Sequence, residues 1–221
     1  MKQKVIIIGG IGSGTVVAQA IVDANLRGDN SLVLEGFMSH DKEPGEFIEG
    51  IPVFAKQSAE NVSDLFNKGY KFIFVLHRTD EGEKFIDLFN KLNLTVEMMA
   101  TFIHPTAYMA PDVIIGKGSV IMPYAMISSH AEIGFNTLIM TGATIGHNTK
   151  LGEFNHVASQ AVVGAFIRTG IGTHIGLNST IREYLNIGDF STLGMGAVLT
   201  KNVGKKEIWA GNPARFLRNA L

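Results

Sequence analysis

Cysteine is absent from all 221 residues, which excludes disulfides and thiol chemistry outright. An excess of either charge is also missing. Nineteen basic residues face 20 acidic ones, for a formal net charge of -1. No basic cluster is dense enough for a phosphate-backbone footprint, so nucleic acid is not expected as a partner. Long apolar runs are lacking too. "KVIIIGG" near the N-terminus is too short for a signal segment, and nothing later approaches a membrane span. No membrane insertion is expected, and a soluble cytoplasmic protein is the default reading. Disorder is equally unsupported, because the chain is 46% hydrophobic and 18% charged.

What is present falls into two grammars. Up to about residue 100, strand-like and helix-like pieces alternate. "KVIIIG" is a continuous β-branched run of the kind a parallel strand buried on both faces requires. It turns at "GGIGSG" into "TVVAQAIVDANLRG", a helix pattern with Ser13 as its expected N-cap and Gly28 past its end. "SLVLEGFM" and "KFIFVL" read as strands, and "TVEMM" as a last short one. "SAENVSDLFNKG", capped by Ser58, and "DEGEKFIDLFNKL" read as helices. Alternation of this kind predicts a small parallel α/β sheet.

From Ile103 the period becomes six. Seventeen positions from Ile103 to Leu199 are aliphatic at every step except Thr169, although Ile, Leu, Val and Met total only 64 of 221 residues. Chance does not hold such a register. Hexad periodicity is the signature of a β-helix, each hexad supplying one short strand and a corner. Three hexads close a triangular coil, so residue i stacks on i+18, and about five to six coils are expected. Glycine follows the inward residue at nine of these positions, where a Cβ would clash at the corner.

Several stretches together resemble the sugar-nucleotide acetyltransferases of the NeuD/PglD type: "VIIIGGIGSG", "IHPTAYMAPDVIIGKGSVIMP", "IGHNTKLGEFNHVA", "GIGTHIGLNSTI", "LGMGAVLTKNV" and "AGNPAR". The resemblance covers nearly the whole chain. It implies a Rossmann-like α/β half-domain over residues 1–100 that binds a nucleotide-sugar. An all-β left-handed parallel β-helix over 101–221 would then transfer acetyl from acetyl-CoA. It further implies cytoplasmic N-acetylation of a nucleotide-linked amino sugar in surface glycan or polysaccharide synthesis, by a homotrimer that needs no metal. His147 would be the general base, suited by an imidazole's ordinary pKa near 6.5 to take a proton from an attacking amine. Asn148 stands where the family carries an acidic residue, and would orient the ring without adding charge. His156 would meet the pantetheine of CoA, with Leu177 and Met195 along the channel. Gly194, Gly196 and Gly211 would leave room for the cofactor, and Lys201, Lys205, Lys206 and Arg215 are candidates for its phosphates.

For the nucleotide-sugar, the glycine turn supplies Gly10, Gly12, Ser13 and Gly14 as a phosphate cradle at a helix N-terminus. It is not a complete G-x-G-x-x-G, since Thr15 occupies the third glycine position. Ser39 and His40 follow the second strand, and His77 and Arg78 the third, each in place of residues usual in the family. Glu35 is a weak candidate for holding a ribose. Sugar O-acetylation, including sialic-acid-like substrates, is the close alternative. A metal lyase resembling γ-carbonic anhydrase is a distant one, because of His130, His147, His156 and His174 only 156 and 174 share a column.

Overall fold

The computed structural model describes residues 2–29, 31–77 and 79–220. The α/β portion is built on strands β1 (Gln3–Ile8), β2 (Leu32–Ser39), β3 (Phe47–Ile48), β4 (Ile51–Lys56) and β5 (Lys71–Phe74), in the order β3-β4-β2-β1-β5. β4, β2, β1 and β5 are mutually parallel, and β3 folds back on β4 as an antiparallel turn. The β-branched run of β1 alternates between two cores. Val5 and Ile7 pack toward helix α1 (Ser13–Leu26), while Ile6 and Ile8 pack toward α2 (Ala59–Asn67) and α3 (Gly82–Lys91). All four are fully buried, each contributing about 2 kcal/mol of apolar burial.

Three local expectations are corrected here, and one strand pair without a sequence reading is added. The N-cap of α1 is Gly12 and not Ser13, because a φ of 100° admits only glycine comfortably, and Ser13 begins the helix. "TVEMM" forms a 3-10 turn, Val96–Met98, and reaches the sheet only through a bridge between Met99 and Phe72. Glu35 lies within β2 rather than at its end and pairs with Lys4 at 3.1 Å, so it stands away from the strand ends where such sheets take ligands. The β3–β4 segment was not read as strand, since Gly45, Gly50 and Pro52 interrupt its pattern. Ser58, by contrast, does cap α2, accepting from the Asn61 amide at 3.1 Å.

From Phe102 onward the described residues hold seventeen two-residue strands, one per hexad, from Phe102–Ile103 to Val198–Leu199. They stack at eighteen-residue intervals into three parallel sheets, nearly six coils of a β-helix. The second residue of each strand points inward and forms one continuous core from Ile121 to Leu199. Thr169, the exception in the column, is accommodated because its hydroxyl donates to buried Asn155 Oδ1 at 2.7 Å and accepts from the Gly152 amide at 2.9 Å.

Glycine after the inward residue does not serve a left-handed turn. A Cβ on Gly134 would lie 2.5 Å from the Gly152 carbonyl, so these glycines let successive coils approach. The left-handed conformation falls two residues later, on Asn136, Asn148, Phe154, Phe166, Tyr184 and their equivalents.

Three faces result. The first carries Phe102, Val120 and Leu138 outward, all buried beneath Val17, Ala18 and Ile21 of α1. Further along the same face stand His156 and His174. α3 lies on the neighbouring corner, with Phe89 edge-on to Phe135 and Phe154. A buried His104 ties α1 to the first coil. Its Nδ1 accepts from the Thr106 amide, so Nε2 carries the proton donated to Asp23 at 3.0 Å.

The last coil is closed by the chain's final segment. Glu207–Ala210 pairs with Thr192–Leu193, Val203 bridges Ile187, and Val198 exchanges backbone hydrogen bonds with Gly211 and Ala214. Arg215–Asn219 completes this cap as an antiparallel strand. Arg218 and Lys206 then reach back to Asp80 and Glu83, each at 2.7 Å.

Candidate functional site

Two clefts flank the segment between β5 and α3, the larger within the α/β portion and the smaller where that portion meets the β-helix. The larger, about 720 Å³, lies at the C-terminal ends of β1 and β2. β1 is central, with β2 on one side and β5 on the other, so the chain reverses direction across the sheet here, the place where parallel α/β sheets take ligands. Gly10, Ser39 and His40 line it. A Cβ on Gly10 would meet nothing within 4 Å, so the backbone is open to an approaching group. Ser39 is buried and its hydroxyl accepts from the amides of Asp41 and Lys42, shaping the rim. Gly12 and Gly14 stand outside this lining. Gly14 packs against Phe37 and Gly9, the place of a close-packing glycine, while the Thr15 hydroxyl donates to the Gly12 carbonyl.

The second cleft, about 350 Å³, runs along the first face and its adjoining corner. His156, Leu177, Gly194 and Met195 line it, and Ser13 of α1 joins them rather than the larger cleft. Its floor is apolar, with Leu177 and Met195 exposed along it. Gly196, at φ 64°, turns the corner beyond, and Gly211, at φ 93°, sits in the terminal cap. Of the basic candidates, Lys205 and Lys206 already face Asp189 and Glu83, the Arg215 guanidinium donates to the Ala214 carbonyl, and Lys201 is exposed.

His156 and His174 are more than a surface ladder. Their Nδ1 atoms lie 2.9 Å apart, and His77, from the segment after β5, stacks on His156 at 5.4 Å with the rings 19° from parallel. His77 is thus turned toward the β-helix and away from the larger cleft. Arg78 lies outside the described residues. Burial holds the imidazoles of His77 and His174 down at about 4, the latter despite the Asp80 carboxylate, and pushes His156 well below its ordinary value. All three are therefore neutral at pH 7, and the Nδ1–Nδ1 contact shares a single proton. Among the described residues, the buried Nε2 atoms of His77 and His156 have no hydrogen-bond partner.

His147 occupies another corner, between the second and third faces, where it is exposed. Its Nδ1 is 2.9 Å from Asn148 Oδ1. An amide oxygen only accepts, so Nδ1 carries the proton and Nε2 presents its lone pair outward. Asn148 can make this contact because, at φ 58°, it sits in the left-handed conformation that asparagine tolerates. Two residues that the sequence reading passed over accompany the pair. Phe166 meets the His147 ring at 84° and 5.1 Å, and Tyr184 stacks on Phe166 at 4.8 Å. Their spacing of eighteen was the available signal.

Within one chain, then, the fold brings the two clefts together across the β5–α3 segment and keeps His147 apart from both. Among the described residues, no group of three or more His, Asp or Glu side chains could hold a metal ion, and no helix is long and apolar enough to cross a membrane.

Residues 130–165 match the family described as bacterial transferase hexapeptide (six repeats). No curated protein matches the chain. Among solved structures, the chain is similar to a perosamine N-acetyltransferase mutant from Caulobacter crescentus in complex with CoA and GDP-perosamine. That likeness has a TM-score of 0.83 at 21% identity and covers 99% of both chains. The acetyltransferase domain of PglB from Neisseria gonorrhoeae, in complex with acetyl coenzyme A, gives 0.83 at 24% identity over 98% of this chain and 100% of that one. WeeI from Acinetobacter baumannii gives 0.78 at 22% over 97% and 100%. The shared fold is an α/β portion followed by a left-handed parallel β-helix, the coils as the hexads predict and the handedness as the family resemblance implies.

Proposed function

We propose that the chain is a NeuD/PglD-type acyltransferase, moving acetyl from acetyl-CoA to the amine of a nucleotide-linked amino sugar in surface glycan synthesis. The observation that carries this reading is His147, whose proton is held on Nδ1 by Asn148 so that Nε2 is free to act as a base. The amine nitrogen attacks the thioester carbonyl and gives its proton to Nε2. The C–S bond breaks, and the imidazolium returns that proton to the departing thiolate. Similarity of fold to structures containing CoA and GDP-perosamine supports the choice of substrates.

Acetyl-CoA lies in the second cleft, along His156, Leu177, Gly194 and Met195, with Gly196 and Gly211 at its far end. The nucleotide-sugar enters the larger cleft at Gly10, Ser39 and His40. Division of labour near residue 100, with the nucleotide held by 1–100 and acetyl transfer on 101–221, belongs to the same proposal. So does a cytoplasmic homotrimer. His147 and the acetyl-CoA cleft stand on different corners of the β-helix, and a neighbouring copy packed side by side brings the two together.

The test is acetyl-CoA consumption with a panel of UDP-, GDP- and dTDP-linked amino sugars, followed by product analysis for N- against O-acetylation. Turnover with at least one nucleotide-linked amine is expected. Turnover confined to hydroxyl acceptors, or none with any member, refutes the reading.

A further inference from the structure

The corner that carries His147 has a column of its own. His130, Asn148, Phe166 and Tyr184 succeed one another at eighteen-residue steps, each with φ between 57° and 61°. The upper two rings are stacked 7° from parallel along the helix axis, and both are exposed, Phe166 at 39% and Tyr184 at 69%. His147 lies one coil below, so its perpendicular contact at 5.1 Å sets the edge of the imidazole against the remaining face of Phe166. The backbones are joined as well, the Phe166 amide donating to the His147 carbonyl at 3.1 Å. On another corner, by contrast, Phe135 and Phe154 lie beneath α3.

An aromatic face carries the negative part of the ring quadrupole and attracts a cation set against it. The proposed base has an amide beside it, Asn148, where a carboxylate would otherwise stabilise the imidazolium. We infer that Phe166 is a positioning residue for His147. Its ring face holds the imidazole in the orientation that keeps Nδ1 on Asn148, and it stabilises the imidazolium formed when the amine loses its proton. Tyr184, stacked behind, keeps the Phe166 ring flat. The inference rests on the reading of His147 as the base.

Phe166→Leu removes the π face while keeping an apolar side chain, and Phe166→Trp restores a face. In the full-length protein, Phe166→Leu is expected to lower kcat roughly 2- to 30-fold, the range a cation–π contact spans, with KM for acetyl-CoA unchanged. Phe166→Trp is expected to recover most of the loss. A readout without substrate accompanies this. The His147 ring protons, shifted upfield by the Phe166 ring current, should return toward ordinary positions in the Leu variant while sedimentation stays as in the parent. If His147→Ala abolishes turnover but Phe166→Leu leaves kcat intact, the inference fails and the base assignment survives. A loss that Trp does not recover, or one that accompanies altered assembly, also overturns it. Normal turnover in His147→Ala instead refutes the reading beneath it.

Discussion

Asn148 does two things with one side chain. It fits the left-handed corner at φ 58° and it accepts the His147 Nδ1 proton. His147→Ala should therefore depress kcat by roughly 10²- to 10⁴-fold, the usual yield of a positioned base, with little change in Tm because the residue is exposed. Steady-state kinetics beside a thermal melt checks both halves. Asn148→Asp keeps the acceptor, tolerates the corner and adds a charge beside the imidazolium, so kcat should hold or rise. A strong loss with an unchanged melt would mean that the amide's second hydrogen-bonding group matters more than its oxygen. The His147–Asn148 pair was legible through the family resemblance, as neighbours within one short motif. Phe166 was not, because only the eighteen-residue stacking, and not adjacency in sequence, brings it over the imidazole.

At the scale of elements, the β5–α3 segment is the shared wall: Leu76 borders the larger cleft, Thr79 the smaller, and His77 stacks on His156 between them. The three buried imidazoles fold in the neutral state. With folded values depressed to about 4 for His77 and His174, against roughly 6.5 unfolded, the unfolded chain binds more protons between these limits. Their contribution is thus complete above about pH 6.5 and is lost as pH falls toward 4. Urea midpoints should drop across that window, and His77→Phe should flatten the drop; a midpoint independent of pH from 7 to 4.5 contradicts this account.

The coils make a separate prediction. Gly134→Ala presses a methyl onto the next coil's backbone and should cost about 1–3 kcal/mol. Gly196→Asn, at a left-handed corner with open space, should leave Tm nearly unchanged. Differential scanning calorimetry on the two variants separates the two uses of glycine.

Legibility at this scale followed periodicity. Six-residue repetition announces every strand of the β-helix, whereas the β3–β4 turn, broken by Gly50 and Pro52, has no period to read. "TVEMM" looks like a strand because it is apolar, yet at the junction the chain must turn from sheet to coil. His77 was assigned to the nucleotide for its place after the third strand. Only the docking of one portion on the other shows that it turns inward.

For the whole molecule, the expected assembly has a direct test. Sedimentation at micromolar concentration should give three times the chain mass, and a stable monomer would remove the neighbour on which the composite site depends. Gly10→Val asks which portion holds the sugar. It places a side chain in the larger cleft without strain in the free protein, so KM for the nucleotide-sugar should rise while KM for acetyl-CoA and kcat stay put. Unchanged sugar KM would move the acceptor onto the β-helix.

The final segment has a consequence beyond stability. A stack of near-identical coils has no internal reason to stop, and each sheet would offer its last strand as a template for another molecule's first. Val203, Glu207–Ala210 and the Gly211–Ala214 turn occupy those three edges in turn, one for each face. The segment acts as a chain terminator for self-templated growth, holding a fibre-like architecture to the size of a single molecule. A variant cut after Asn202 should therefore retain the coils yet elongate end to end, visible as rods by electron microscopy and as thioflavin-negative scattering that grows with concentration.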